Sequence, residues 1–214
     1  MYVIFHVSLC LFTVIASSGH RLLWVMGIAH GDISFNNLMF DPKTKHAILN
    51  DFDLASIMDP GIKFPPKIGH RRTGTLVFMA LDLLKDKGID GEVARSYHHE
   101  LESFVWVLLW AGLSEKGYRQ KHILEWVDLS PKAVYEKKAA FLWDFESGLV
   151  EMKESGSPYH AVSSSSLLDL TKLNVLYRSA DEMGGVNRGS RLLSALKDSW
   201  KAEKDKWMDY EIPL

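Results

Sequence analysis

The chain has 214 residues, 47% hydrophobic and 24% charged, which are globular values, enough for one domain with a sizeable core and far from a disordered composition. Twenty-five Lys and Arg against 27 Asp and Glu leave a formal charge of −2, so no general attraction to nucleic acid or anionic lipid is expected. The single cysteine, Cys10, excludes an intrachain disulfide and a multi-cysteine metal site, and it fits an intracellular, reducing compartment, cytoplasmic or nuclear.

The chain opens with "MYVIFHVSLCLFTVIASSG", an apolar run the length of a signal-peptide core with Ala16, Ser17 and Ser18 behind it. No Lys or Arg precedes the run, and it is too short for a comfortable membrane span. A buried helix through Leu11, Val14, Ile15, Leu22, Leu23 and Val25 is the expectation, with Gly19 a mild cost inside it. A signal or anchor, or a doubtful start, are the alternatives for residues 1–18, and no membrane association is expected unless one of the first two holds.

"GIAHGDISFNN" reads as a loop. "LMF" and "AILN" flank Asp-Pro-Lys-Thr, a turn signal, so a small β-hairpin follows. From Ser56 to about Asp90 the sequence is punctuated by Gly and Pro, and "DPGIKFPPKIGHRRTGT" cannot form a regular element. Its length favours a functional loop. "RSYHHELESFVWVLLWAGL" is apolar almost all round, as in a helix buried mid-domain. "SPKAVYEKKAAFLWDFESG" has Ser130 as N-cap, Pro131 at the first helical position and a closing Gly148. Two further helices are expected after it. The fold class is mostly α with a small β-hairpin.

Phosphoryl transfer asks a protein mainly for positioning and charge neutralisation. It needs a carboxylate near the attacking hydroxyl and hard oxygen ligands for magnesium, of which one Asp and one Asn suffice. Asp32, Asn37 and Asp51 supply that set. Asp32 and Asn37 share one loop, and the hairpin would bring Asp51 back beside them. An isolated His-x-Asp is an ordinary turn with a satisfied His; the Asn, the hairpin and the second Asp in order make the coincidence poor.

On these residues the sequence resembles the protein kinases. His30-Gly31-Asp32-Ile33-Ser34-Phe35-Asn36-Asn37 is similar to the catalytic loop, and Asp51-Phe52-Asp53 to the metal-binding tripeptide. "RTGTLVFMALDLL" resembles the end of an activation segment, with Ala80-Leu81-Asp82 where Ala-Pro-Glu usually stands. "HHELESFVWVLLW" resembles the central helix of the C-terminal lobe, and Leu101-Glu102-Ser103, the Asp-Ile-Ser-x-Asn-Asn loop and "DFDLA" together point to the fungal-type protein kinases. The implied domain is a C-lobe over 19–214, with catalytic loop 28–37, metal loop and activation segment 51–82, central helix 96–112 and helices to 207.

The resemblance implies that Asp32 orients or deprotonates the acceptor hydroxyl and that Asn37 and Asp51 hold Mg2+ against the phosphates of ATP. Thr75 would hydrogen-bond near Asp32 and shape a Ser/Thr-type acceptor site. Asp82 would ion-pair with Arg188 or Arg191. Glu100 would brace the catalytic-loop backbone, and His30 would give structural support. A protein substrate or partner is implied, its identity open.

Four departures qualify this. Gly31 replaces the Arg that normally pairs with a phosphorylated activation loop, so that switch should be absent. Arg71 and Arg72 are a solvated basic pair or an acidic-group site. Ser34 stands where a phosphate-contacting Lys is common. Asp53 replaces a Gly, restricting positive φ there, and either adds a carboxylate to the metal site or is solvated. Before residue 30 there is no Gly-rich loop or strand-borne Lys, and Gly184–Ser190 reads as a plain loop. The N-lobe is therefore expected to be absent and intrinsic activity very low. Two alternatives stand beside a truncated kinase: a pseudokinase-type protein-binding module, and a small-molecule phosphotransferase of the aminoglycoside or choline kinase type, which spells the loop His-Gly-Asp. Zinc catalysis is not expected, because adjacent His98 and His99 should point to different sides of a helix.

Overall fold

The computed structural model describes residues 19–41, 46–58, 73–114 and 124–146. The readings for residues 1–18, Arg71, Arg72, Gly148, Gly184–Ser190 and the two helices expected after α5 lie outside these residues. In chain order the described elements are helix α1 (19–25), β1 (Ile28–Ala29), β2 (Leu38–Asp41), β3 (His46–Leu49), β4 (Ser56–Ile57), α2 (Leu81–Leu84), α3 (Asp86–Ile89), α4 (Tyr97–Ser114), a 3-10 turn (Leu124–Trp126) and α5 (Pro131–Glu146). The described chain is mostly helical.

Among the described residues there are two antiparallel two-stranded sheets, not the one hairpin the sequence suggested. β2 pairs with β3 in the register Leu38↔Leu49 and Met39↔Ile48, as the alternating runs implied. β1 pairs with β4 through Ile28↔Ile57 and Ala29↔Ser56. Strands of two residues are too short to leave an alternating pattern, so this second sheet had no sequence signal. Between Ser56 and Asp90 the described residues hold β4, α2 and α3, while residues 59–72, most of the Gly- and Pro-rich run, lie outside the described residues.

α4 runs through the middle. Leu101, Phe104, Val105, Trp106, Val107, Leu108 and Leu109 are all buried, so every face of the helix is covered. Ile33 and Leu38 join the same cluster from the first loop and β2, Val77 and Phe78 from the segment before α2, Leu81 from its first turn, and Trp126, Phe141 and Leu142 from the C-terminal side. Rings lock these contacts edge to face: Phe78 on Trp110 at 5.4 Å and Trp106 on Trp126 at 6.2 Å between centroids. Full burial of each such large side chain contributes about 1.5–3 kcal/mol before entropy is counted.

α5 starts where its cap dictates. Ser130 Oγ accepts the N–H of Ala133 at 3.3 Å, and Pro131 fills the first helical position, where a missing N–H costs nothing. The helix packs on α2 through a second cluster of Met79, Ala80, Leu83, Leu84 and Val134. Among the described residues no helix is long and apolar enough to cross a membrane.

Candidate active site

The loop from His30 to Asn37 connects β1 to β2 and is held from below by Glu100, in the first turn of α4. Glu100 accepts the backbone N–H of Gly31 at 2.7 Å on one oxygen and that of His30 at 3.2 Å on the other. His20 of α1 donates to the second oxygen, and Arg95 stands 3.5 Å from the first. Burial pushes this carboxyl up, but the His20 ring, Arg95 and the Gly31 N–H outweigh it and bring it down to about 2. A fully buried charge is thus kept ionised by four groups from three parts of the chain.

His30 fixes the loop's other side. Its Nε2–H donates to the Asn50 carbonyl at 2.9 Å, and its Nδ1 accepts the Asp32 N–H at 3.3 Å. Burial holds its pKa below the usual imidazole value, which suits a neutral ring with one donor and one acceptor nitrogen. The ring meets Phe52 edge-on at 4.6 Å. The His30 bond thereby joins the loop to the residue that precedes Asp51.

Hairpin register positions the remaining groups. With Leu38 opposite Leu49, Asn37 and Asn50 face each other, and the Asn50 N–H donates to the Asn37 carbonyl at 2.8 Å. Asp51 follows directly, an exposed carboxylate with φ 63°, the one non-glycine residue of positive φ among those described. The positive φ of this loop therefore falls on Asp51 and not on Asp53; Asp tolerates the left-handed region better than most side chains. Asp53 is exposed.

Asn37 directs its Nδ2 to the Asp32 carbonyl at 3.0 Å and, more weakly, to Asp32 Oδ2 at 3.4 Å. Its amide oxygen is thereby turned the other way. Asp32 Oδ1 accepts the backbone N–H of Thr75 at 2.8 Å. The bond expected of Thr75 is thus made by its main chain. Asp32, Gly74, Thr75 and Arg95 line a small open cleft. Ser34 is buried, and its carbonyl accepts the Asn37 N–H at 3.2 Å.

Gly31 is dictated by the backbone. Its φ is 87°, and a Cβ there would collide with the Leu54 carbonyl oxygen, so neither Arg nor any other side chain can occupy the position unstrained.

Asp82 ion-pairs with Lys85 at 2.6 Å, both about half exposed; Arg188 and Arg191, its expected partners, lie outside the described residues. The buried polar anchor on this side is one that the sequence did not reveal. Glu102 accepts the Leu81 N–H at 2.9 Å and the Trp106 indole N–H at 3.1 Å, while Lys138 of α5 donates to the Met79 carbonyl at 2.6 Å. Burial pushes Glu102 up and Lys138 down, and each offsets the other's burial by attraction. A Lys three residues from an apolar Tyr135 on α5 looks like a solvated face, so only the fold could expose this pair. Arg95 was hidden too: nothing in "RSYHHE" marks it apart from any surface Arg.

His98 and His99 do not diverge. Their rings lie 3.9 Å apart, with both Nδ1 atoms at Ser96 Oγ, 2.6 and 3.1 Å away. They occupy the first turn of α4, where both side chains curl back onto the residue before the helix. With Asp82 they bring three possible ligand atoms within 4.8 Å of one another. Ser96 N–H already donates to His99 Nδ1 at 3.1 Å and Lys85 neutralises Asp82, so the three are satisfied by protein groups.

Comparison with known families agrees with the loop geometry. Residues 9–111 match the family model for fungal protein kinase. The match spans just under half of the chain, and takes in the catalytic-type loop, the Asp51 turn, α2, α3 and most of α4. The fungal protein kinase region therefore contains Asp32, Asn37, Asp51, Thr75, Asp82 and Glu100. Comparison with curated proteins gives no match.

Proposed function

We propose that this chain carries the C-lobe half of a fungal-type protein kinase site and that the site transfers the γ-phosphoryl group of ATP to a protein Ser or Thr hydroxyl. What supports the reading is the hydrogen-bonded frame: Asn37 bonds Asp32, and the Asn50 N–H donated to the Asn37 carbonyl sets Asp51 one residue beyond. Their donor set, an amide oxygen and an exposed carboxylate, suits Mg2+, which takes hard oxygen ligands and keeps several waters. Bound there, the cation would neutralise charge on the nucleotide phosphates.

Asp32 would act at the acceptor. Thr75 N–H fixes one carboxylate oxygen, leaving the other, lightly held by Asn37, to take a hydrogen bond from the incoming hydroxyl. The hydroxyl oxygen forms a bond to the γ-phosphorus as the bond from that phosphorus to the β-bridging oxygen breaks. The hydroxyl proton passes to Asp32. Gly74 and Thr75 bring the acceptor's own backbone alongside.

A second reading, a partner-binding module without catalysis, is favoured by the apolar pair Met39 and Ile48, cross-strand neighbours that are 50% and 46% exposed. Magnesium-dependent ATP binding by the purified chain separates the two. The catalytic reading expects binding that Asp51→Asn removes and transfer to Ser/Thr peptides that Asp32→Asn removes. Identical nucleotide behaviour of the wild type and Asp51→Asn would overturn it.

A further inference from the structure

We propose that Arg95 is the positioning residue that ties the Asp32 loop to the substrate-facing segment, and that it does so without phosphorylation. The inference deepens the phosphoryl-transfer reading of the same site and rests on it for its functional meaning. Arg95 lies just before α4 with its side chain nearly buried. One guanidinium nitrogen donates to the Gly31 carbonyl, and the other donates to the Thr73 carbonyl at 3.1 Å. Glu100, already under the loop, pairs with the same group at 3.5 Å.

Each bonded carbonyl sits one step behind a site residue. Gly31 precedes Asp32, and Thr73 precedes Gly74 and Thr75. Gly74, at φ 129°, lets the two backbones approach so closely that a Cβ there would stand 3.2 Å from the Gly31 oxygen. The Asp32–Thr75 bond therefore forms directly in front of the Arg95 fork. A planar guanidinium can bridge the two strands of backbone because it offers two donors at fixed spacing to two acceptors, where an ammonium offers one point.

In the kinases this chain resembles, a comparable link uses the Arg before the catalytic Asp together with an added phosphate. Gly31 forbids that side chain sterically. The partners of Arg95 are two backbone carbonyls and a buried carboxylate, all present in the unmodified chain. The link is permanent, and the site needs no activating phosphate to align Thr75 with Asp32.

Amide hydrogen exchange on the purified chain tests this whether or not it binds nucleotide, so failure of the kinase reading and failure of the link are separable. Arg95→Lys keeps a positive charge beside Glu100 but cannot span both carbonyls. The Thr75 amide of that variant should exchange about tenfold faster or more, while the Leu101–Leu109 amides of α4 stay as in the wild type. Arg95→Ala should accelerate Thr75 at least as much. Phosphatase treatment of the wild type should leave Thr75 protection unchanged. Wild-type protection of Thr75 in Arg95→Lys, equal acceleration of Thr75 and the α4 amides, or loss of Thr75 protection on phosphatase treatment would each overturn the proposal.

Discussion

Lys138 places its ammonium nitrogen 2.6 Å from the Met79 carbonyl and 4.2 Å above the centre of the Trp106 ring. Glu102, on the same helix face as Trp106, takes the Leu81 N–H two residues further along. The segment leading into α2 is thus hung from two ionisable side chains sealed inside the protein.

Breaking that pair from one side should be far worse than removing both. Lys138→Met leaves the buried Met79 carbonyl without its donor, at a cost of about 1–3 kcal/mol, and removes the attraction that offsets the burial of Glu102. Glu102→Gln with Lys138→Met should recover much of that loss, because no ionisable group is left stranded. Urea unfolding of the two single variants and the double variant measures it. Simple additivity would show the pair is uncoupled.

Asp51 offers a separation of stability from ligand binding. At φ 63° an alanine is strained by about 1–2 kcal/mol relative to glycine. Asp51→Gly should therefore unfold at a higher temperature than Asp51→Ala, while both lose Mg2+-dependent nucleotide binding alike. Thermal denaturation beside a binding titration reads both effects.

Two buried groups, His30 and Glu100, lower stability as the pH falls, against the opposite contribution of Glu102, whose carboxyl burial pushes up. His30 titrates below 6.5 in the folded chain, so the unfolded chain binds more protons once the pH falls under that value, and stability declines from there. Glu100 is held down at about 2 against 4.5 for a free carboxyl; its contribution is complete above 4.5 and is lost as the pH falls toward 2. Urea midpoints measured from pH 8 to pH 3 should fall in that sequence. In Glu100→Gln the decline below 4.5 should flatten.

Gly31→Ala should destabilise the chain by about 2 kcal/mol or more, since it adds both a disfavoured φ and a collision with the Leu54 carbonyl. Gly31→Arg should fare no better and should not confer any response to phosphorylation. Equilibrium unfolding and the Thr75 exchange rate check both variants.

Much of this was legible in the residues themselves. The His30–Asn37 loop, the hairpin and the apolar helix have local signals: fixed spacing, a turn flanked by alternating runs, and apolar residues on every face. Ser130 and Pro131 announced α5 by capping chemistry alone. What stayed hidden depends on segments distant in sequence. Arg95, Lys138 and Glu102 look like surface charges until the fold brings carbonyls and an indole to them. His98 and His99 converge because helix ends free their side chains, which an ideal-helix projection ignores. The two-residue strands β1 and β4 carry no periodicity at all.

Glu100 also sets where the chain can be cut. One of its four donors is His20, upstream of Asp32, Asn37 and Asp51. A dissected fragment that starts between His20 and Ile28 keeps Asp32, Asn37 and Asp51 but strands a buried carboxylate and loosens the loop above it. Domain boundaries chosen from the motifs alone would thus yield a protein with all three of these side chains and no floor beneath their loop, so the smallest self-supporting unit has to include His20.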